Sequence, residues 1–351
     1  MAKERLIKLP QTKGEFKLSG LVTGTKKGDK FFNNKKTKKG VDMNLLSFGV
    51  ETNKDSTVYL TLNGMVRDEV PFYKRPKEKG QKGEVKKIAW VDRYKFNEEG
   101  YKLIGLNIGV TKKLNDKGQE VNDNKMLTEF DACKHIADNL QDEQSVFTKG
   151  NIEFSSYKND KGDVKRTTKF VPNQISLCGD IDFEKEGFEE GNTFKQVIVF
   201  DSIEMDTSDK NDPKARLIAK IVTYNTIETA EFIVRNKNLY NTFNKKLKPY
   251  SSITVWGTIS NKVLTEEVSE EDVWGEENKF DKVNGTSIRE LVITGADPNS
   301  IDTDTYSEAE MDKAIRALKE FGEETSGTKA DDSSDWGKVD DKGANDEEDE
   351  W

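Results

Sequence analysis

Residues 145–157, SVFTKGNIEFSSY, and residues 252–261, SITVWGTISN, decide how this chain is read. In each, apolar and polar side chains alternate with the period of two that a strand buried on one face requires. Val146, Thr148, Gly150 and Ile152 of the first stretch superpose on Ile253, Val255, Gly257 and Ile259 of the second. A glycine at the same step of both predicts a bulge or a barrel corner in each, where another backbone approaches too closely for a side chain. The two stretches are therefore read as equivalent strands of an internal repeat.

Outward from the first stretch, alternation places strands at residues 15–23, 44–52 and 57–66 upstream, then a helix over about 127–140, and a partner strand at 167–177 beyond the turn Lys158-Asn159-Asp160-Lys161-Gly162. Outward from the second, strands fall at 194–205, 217–224 and 229–235, a helix at 239–247, and a closing strand at 287–294 after a long acidic loop, 266–284. Strand, strand, strand, helix, strand, strand thus occurs twice, which is the element order of the OB-fold, a five-stranded Greek-key barrel. The expected architecture is mainly β: two tandem OB-fold domains, a C-terminal helix and a disordered acidic tail. The first domain spans 1–185, with an insertion at about 67–127 that holds a strand pair over 94–110 and a turn at 115–118; the second spans 190–300. The helix covers 305–322, capped by Ser307 with Glu310 three residues on and stopped at Gly322, and the tail is 323–351.

A chain of 351 residues can carry two domains, each with its own core. Its net charge of -9 conceals a strong asymmetry. Residues 1–100 hold 23 Lys/Arg against 13 Asp/Glu, whereas 301–351 hold 6 against 18. A ligand responds to the local field within a Debye length of about 8–10 Å, so the basic front is compatible with a polyanion despite the acidic whole. Cys133 and Cys178 lack disulfide or metal-ligand spacing and are expected as core thiols of an intracellular protein; no signal peptide or membrane span is expected. Glycine-loop, paired-histidine and nucleophile-elbow motifs are absent, and His135 reads as a helix surface residue, so the chain is expected not to be an enzyme and to need no cofactor and no metal.

Single-stranded nucleic acid demands cations for its phosphates and exposed rings for its unstacked bases. The turn at 26–39, KKGDKFFNNKKTKK, supplies Lys26, Lys27, Lys30, Lys35, Lys36, Lys38 and Lys39 around Phe31 and Phe32. A second cluster in the insertion includes Phe72, Tyr73, Lys74, Arg75, Trp90, Arg93 and Tyr94, with at least one of its rings expected in the arm's own small core. Strand three places Val58, Leu60 and Leu62 on one face and Tyr59 on the other, the side on which Lys149 and Tyr157 of strand four are also expected. The second barrel is less basic, and its acidic loop would repel phosphate.

The last residues, 331–351, read DDSSDWGKVDDKGANDEEDEW, ten carboxylates against two lysines and too few apolar groups to fold. With this ending and the doubled strand order, the chain resembles the single-stranded DNA-binding proteins, most closely those of bacteriophages with tandem OB-like domains. The resemblance implies sequence-tolerant binding and protection of single-stranded DNA in replication, recombination and repair. It further implies recruitment of replication and recombination proteins by Asp346, Glu347, Glu348, Asp349, Glu350 and Trp351, possible homo-oligomers, and residence in the cytoplasm, that of the host for a phage protein. Proline before the terminal tryptophan and the long Gly/Gln-rich linker of bacterial relatives are both missing. A strand-annealing factor, an RNA-binding protein and a non-nucleic-acid scaffold are the competing readings.

Overall fold

Alternating burial becomes curvature in the first barrel, where β1 (Gly14–Thr23), β3 (Asp42–Asn53) and β4 (Ser56–Met65) turn Phe16, Leu18, Phe48, Val58 and Leu60 inward. The computed structural model describes residues 7–78, 81–159, 161–208, 212–263 and 287–327. Between β1 and β3, the expected lysine-rich turn folds into one 3-10 turn and an additional edge strand, β2 (Phe32–Lys36), antiparallel to β3. Helix α1 (Glu129–Asn139) begins where the Thr128 side chain accepts the amide of Asp131, and β12 (Ser145–Lys158) and β13 (Val164–Leu177) follow as a hairpin. Pairing runs β1–β3–β4 antiparallel, β4–β13 parallel through Leu60 beside Phe170, then β13–β12–β1 antiparallel, which closes the barrel.

The second barrel repeats this circuit. Strands β14 (Gly191–Asp206), β15 (Lys214–Val222) and β16 (Ile227–Val234) form the meander, and α2 (Lys237–Lys246) is capped by Asn236. Strands β17 (Ser252–Val263) and β18 (Ser287–Asp302) close it, β18 lying parallel to β16 where Ile233 meets Val292. Both circuits are those of the OB-fold. The glycine step holds in both barrels: the β12–β13 register shifts between Lys149 and Gly150, and the β17–β18 register between Trp256 and Gly257. A Cβ on Gly150 would lie 2.0 Å from the Val171 carbonyl oxygen, and one on Gly257 1.8 Å from that of Val292.

The barrels do not keep separate cores. The N-terminal half of β1 is antiparallel to the N-terminal half of β14, with Phe16 opposite Phe194, and one apolar cluster runs from Phe16 and Phe170 to Phe232 and Ile293. Phe154 of β12 and Phe194 both stand 6.1 Å from Phe232. Residues 7–13 cross onto the second barrel, where Thr12 exchanges hydrogen bonds with Val222 and Ile7 and Leu9 pack with Val199, Tyr306 and Met311. The last helix, α3 (Glu308–Gly327), joins that cluster through Met311 and Ala314 and continues through Gly322, past the expected stop.

The insertion forms a three-stranded sheet of β5 (Glu69–Lys74), β6 (Glu84–Ala89) and β7 (Tyr101–Leu103). Its chain then returns along the barrel edge as β8 (Leu106–Gly109), the hairpin β9 (Lys112–Leu114) and β10 (Glu120–Asn122), and β11 (Lys125–Leu127). Residues 94–100, expected within a strand, instead make turns after a 3-10 segment at Trp90–Asp92. Cys133 is buried, and burial pushes its thiol up to about 12, whereas Cys178, expected in the core, is exposed. Residues 323–327, expected at the start of the disordered tail, are the last turn of α3; the acidic loop 266–284 and residues 328–351, with the six terminal residues, lie outside the described residues.

Candidate nucleic-acid interface

Tyr59 points outward from β4 and is 40% exposed, as the strand period requires. Its cross-strand partner is Gly49. A Cβ there would meet Thr23 Cγ2 at 2.6 Å, Thr57 Cγ2 at 2.7 Å and Tyr59 Cε1 at 3.4 Å, so the tyrosine ring lies against bare backbone between two threonine methyls. A ring over a cross-strand glycine shields the ladder and leaves its far side to a cation or a stacking base. Lys27 reaches over this ring from the loop after β1, its Nζ 5.7 Å from the centroid. The base of that loop is fixed by the Thr25 amide, which donates to Asp142 Oδ1 at 2.7 Å.

Of the other lysines in this stretch, Lys26 and Lys30 are exposed in the same loop, while Lys35, Lys38 and Lys39, also exposed, lie at and beyond the far end of β2, where Lys35 is opposite Met43 and Lys36 pairs with Asp42 at 3.1 Å. Phe31 is not a stacking platform. It is 6% exposed, its carbonyl accepts the Ser47 amide at 2.8 Å, and its ring belongs to the barrel core; Phe32 is half-buried against the same core. Lys149 and Tyr157 face outward from β12 as expected, but β12 and β4 are separated around the barrel by β13 on one side and β1 with β3 on the other. Lys149 therefore does not share the Tyr59 surface; its cross-strand neighbour on β1 is Lys17.

In the insertion, Tyr73 repeats the ring-on-glycine arrangement, since a Cβ on Gly83 would sit 2.3 Å from its ring. Lys74 lies 5.1 Å over the Tyr101 ring and Arg75 is exposed. Phe72 is a core residue of the insertion, edge-on to Phe96 at 4.8 Å, and Trp90 is half-buried against Phe130. Arg93, expected to meet phosphate, is committed to α1: its Nε and Nη2 donate to the two oxygens of Asp131 at 2.8 and 3.0 Å, and Tyr94 Oη donates to the same carboxylate at 2.7 Å. Partial burial pulls the Asp131 carboxyl upward, but donors from Arg93, Thr128 and Tyr94 outweigh it and hold it below the usual carboxylate range. These residues fasten the arm to the barrel, leaving Tyr73, Lys74 and Arg75 on its surface.

The equivalent face of the second barrel carries no exposed ring on β15 or β16. Its cations are internally compensated: Arg216 with Asp206 at 2.6 Å, Arg235 with Asp212 at 2.9 Å, and both Lys214 and Arg235 with Glu290 at 2.6 Å. A third ring-on-glycine pair lies on another face of this barrel: Trp256, 42% exposed, covers Gly295, where a Cβ would stand 2.5 Å from the indole nitrogen. Its outward direction follows from alternation with Val255 and Gly257, but its glycine partner depends on a register that alternation does not specify.

Fold and surface together define a fused pair of OB barrels with a cationic, ring-bearing face on the first. By comparison with known proteins, residues 76–328 match the YorF family model, and the chain belongs to the YorF family. No curated protein matches it. Among solved structures, it is similar to the wild-type single-stranded DNA-binding protein from Thermus aquaticus, with TM-score 0.40, 10% identity and coverage of 82% of this chain and 93% of that one. A deletion mutant of the same protein gives TM-score 0.39, 10% identity and coverage of 82% and 94%. The barrel assignment rests on strand order and register rather than on these two matches. No helix among the described residues is long and apolar enough to cross a membrane.

Proposed function

We propose that the chain binds single-stranded DNA with little sequence preference, through the outer face of the first barrel. The observation that carries this reading is Tyr59, exposed across the ladder from Gly49 with Lys27 over its ring and Lys26 and Lys30 exposed in the same loop. Any base has a face to stack on the ring, and the lysines meet the backbone whatever the sequence. Tyr73, Lys74 and Arg75 of the insertion extend the same chemistry to the side. Oligothymidylate titration at several salt concentrations tests the proposal: log affinity falls with log salt by about 0.7 for each phosphate neutralised. Tyr59→Ala weakens binding by about 1–3 kcal/mol without changing that slope. Phe31→Ala, by contrast, lowers folding stability by about 3–5 kcal/mol as a core deletion. Failure of the wild-type chain to bind oligothymidylate at low salt rules the proposal out, and equal affinity of Tyr59→Ala and wild type rules out the site.

In this reading the protein coats exposed strands in replication, recombination and repair, as a phage-type protein acting in the host cytoplasm, and the acidic segment 331–351 recruits partner proteins. Carboxylates steer that segment onto basic partners, and Trp351 supplies the apolar anchor. Removing residues 331–351 is expected to abolish capture of replication proteins from lysate and to tighten DNA binding at low salt, because their ten carboxylates no longer compete for the lysines. Weaker DNA binding after the deletion contradicts that competition.

A further inference from the structure

Strand β1 belongs to both barrels, and its outward residues define a path between them. At its C-terminal end Thr23 lies beside Gly49, under Tyr59. Toward its N-terminal end, outward alternation continues through Ser19 and Lys17 to Glu15. There the sheet is continuous across the seam: Lys149, Lys17 and Thr193 lie in one row, and Asn151, Glu15, Lys195, Trp256 and Gly295 in the next. Six residues of β1 separate Thr23 from Lys17, roughly 20 Å at about 3.3 Å per residue, and neighbouring strands add about 5 Å each.

Two features of these rows point to a polyanion. Lys17 stands directly opposite Lys149, both exposed, and like charges at that spacing repel unless an anion lies between them. One row over, the exposed indole of Trp256 lies beside Lys195, its inner face occupied by Gly295. The surrounding side chains, Asn151, Thr193 and Thr258, are polar, so a protein partner would find a single ring without the apolar centre that protein interfaces bury. Glu15 faces Lys195, leaving Lys17 and Lys149 as the local excess.

We infer that the seam is a second contact site for the same single strand, which runs from Tyr59 along β1 and stacks a base on Trp256. This rests on the proposed function and assigns the second barrel a role through its seam, its β15–β16 face being internally compensated. The test uses the full chain with two oligothymidylates, one of about 8 nucleotides, within the site of one OB barrel, and one of about 30, long enough to engage both. Trp256→Ala is expected to weaken binding of the longer strand roughly 5- to 100-fold and to leave the shorter unchanged. Trp256→Phe retains most of the affinity. The triple variant Lys17→Ala, Lys149→Ala, Lys195→Ala lowers the salt slope by about 2 for the longer strand only. Wild-type affinity of Trp256→Ala for the longer strand, with Tyr59→Ala still impaired, overturns the seam site and leaves the first-barrel site standing. Equal losses on both lengths also overturn it. Absence of binding by the wild-type chain removes the proposed function itself.

Discussion

A ring and a glycine facing each other across a ladder are the unit from which this surface is made. Tyr59 with Gly49 and Trp256 with Gly295 are register partners, and Tyr73, paired with Val85, covers Gly83 just beyond the end of its ladder; each exposes a large aromatic that a globular surface ordinarily hides. Alternation in the sequence is enough to turn Tyr59 and Trp256 outward. It does not identify the glycine beneath, because Gly295 is brought to Trp256 by a register that the strand pattern leaves open. Phe31 misleads for the converse reason: lysines crowd it in sequence, while its backbone bond to Ser47 draws the ring inward. Gly150 and Gly257 were legible because the same step recurs in both halves. Their close approach is to carbonyl oxygens rather than to pliable side chains, so Gly150→Ala and Gly257→Ala are each expected to cost about 3 kcal/mol in urea unfolding. A loss below about 0.5 kcal/mol would show that the bulges relax freely.

At the scale of elements, every barrel strand and helix expected from periodicity is present, with ends displaced by a few residues at most sites. The exceptions have physical causes. β2 emerges from a lysine-rich stretch because the free edge of β3 supplies hydrogen-bonding partners regardless of side-chain polarity. β18 runs on to Asp302 because its end is paired with Ser252 and Thr254 across register shifts. The insertion was illegible as a fold because its small sheet is held by a few long-range contacts, above all Arg93 and Tyr94 on Asp131. Asp131→Asn is expected to destabilise the protein by about 1–3 kcal/mol at pH 7. Because the folded carboxyl titrates below its unfolded value, this stabilisation is complete above about pH 4 and disappears as pH falls through the folded value. Urea midpoints of wild type and variant should therefore converge in acid; a gap that stays constant down to pH 2 assigns the stability to packing instead.

For the whole molecule, the shared core makes the two barrels one cooperative unit. Phe154 touches Phe232 across the seam, Ser156 Oγ donates to Glu228 at 2.7 Å, and Asn261 Nδ2 donates to the Thr57 carbonyl at 2.6 Å. Calorimetry is expected to give a single transition in which calorimetric and van't Hoff enthalpies agree. Two resolved transitions would mean that the cluster joining the barrels adds little to either. The repeat was visible in the sequence, but the fusion was not: pairing of β1 with β14 is a contact between two first strands, and nothing in either strand's own pattern distinguishes it from an exposed edge.

The crossing of residues 7–13 onto the second barrel sets the order in which the molecule can be completed during synthesis. Tyr306 Oη donates to the carbonyl of Pro10, 296 residues earlier in the chain, so the arm is made well before its partner. At about 5–20 residues per second, roughly 15–60 s separate the making of the two partners. Until β14 and β15 follow, Ile7, Leu9 and one edge of β1 have no native cover, and until α3 is made that cover is incomplete, so the nascent first barrel is the stage at which the chain is most open to chaperones and to mispairing with its neighbours on a polysome.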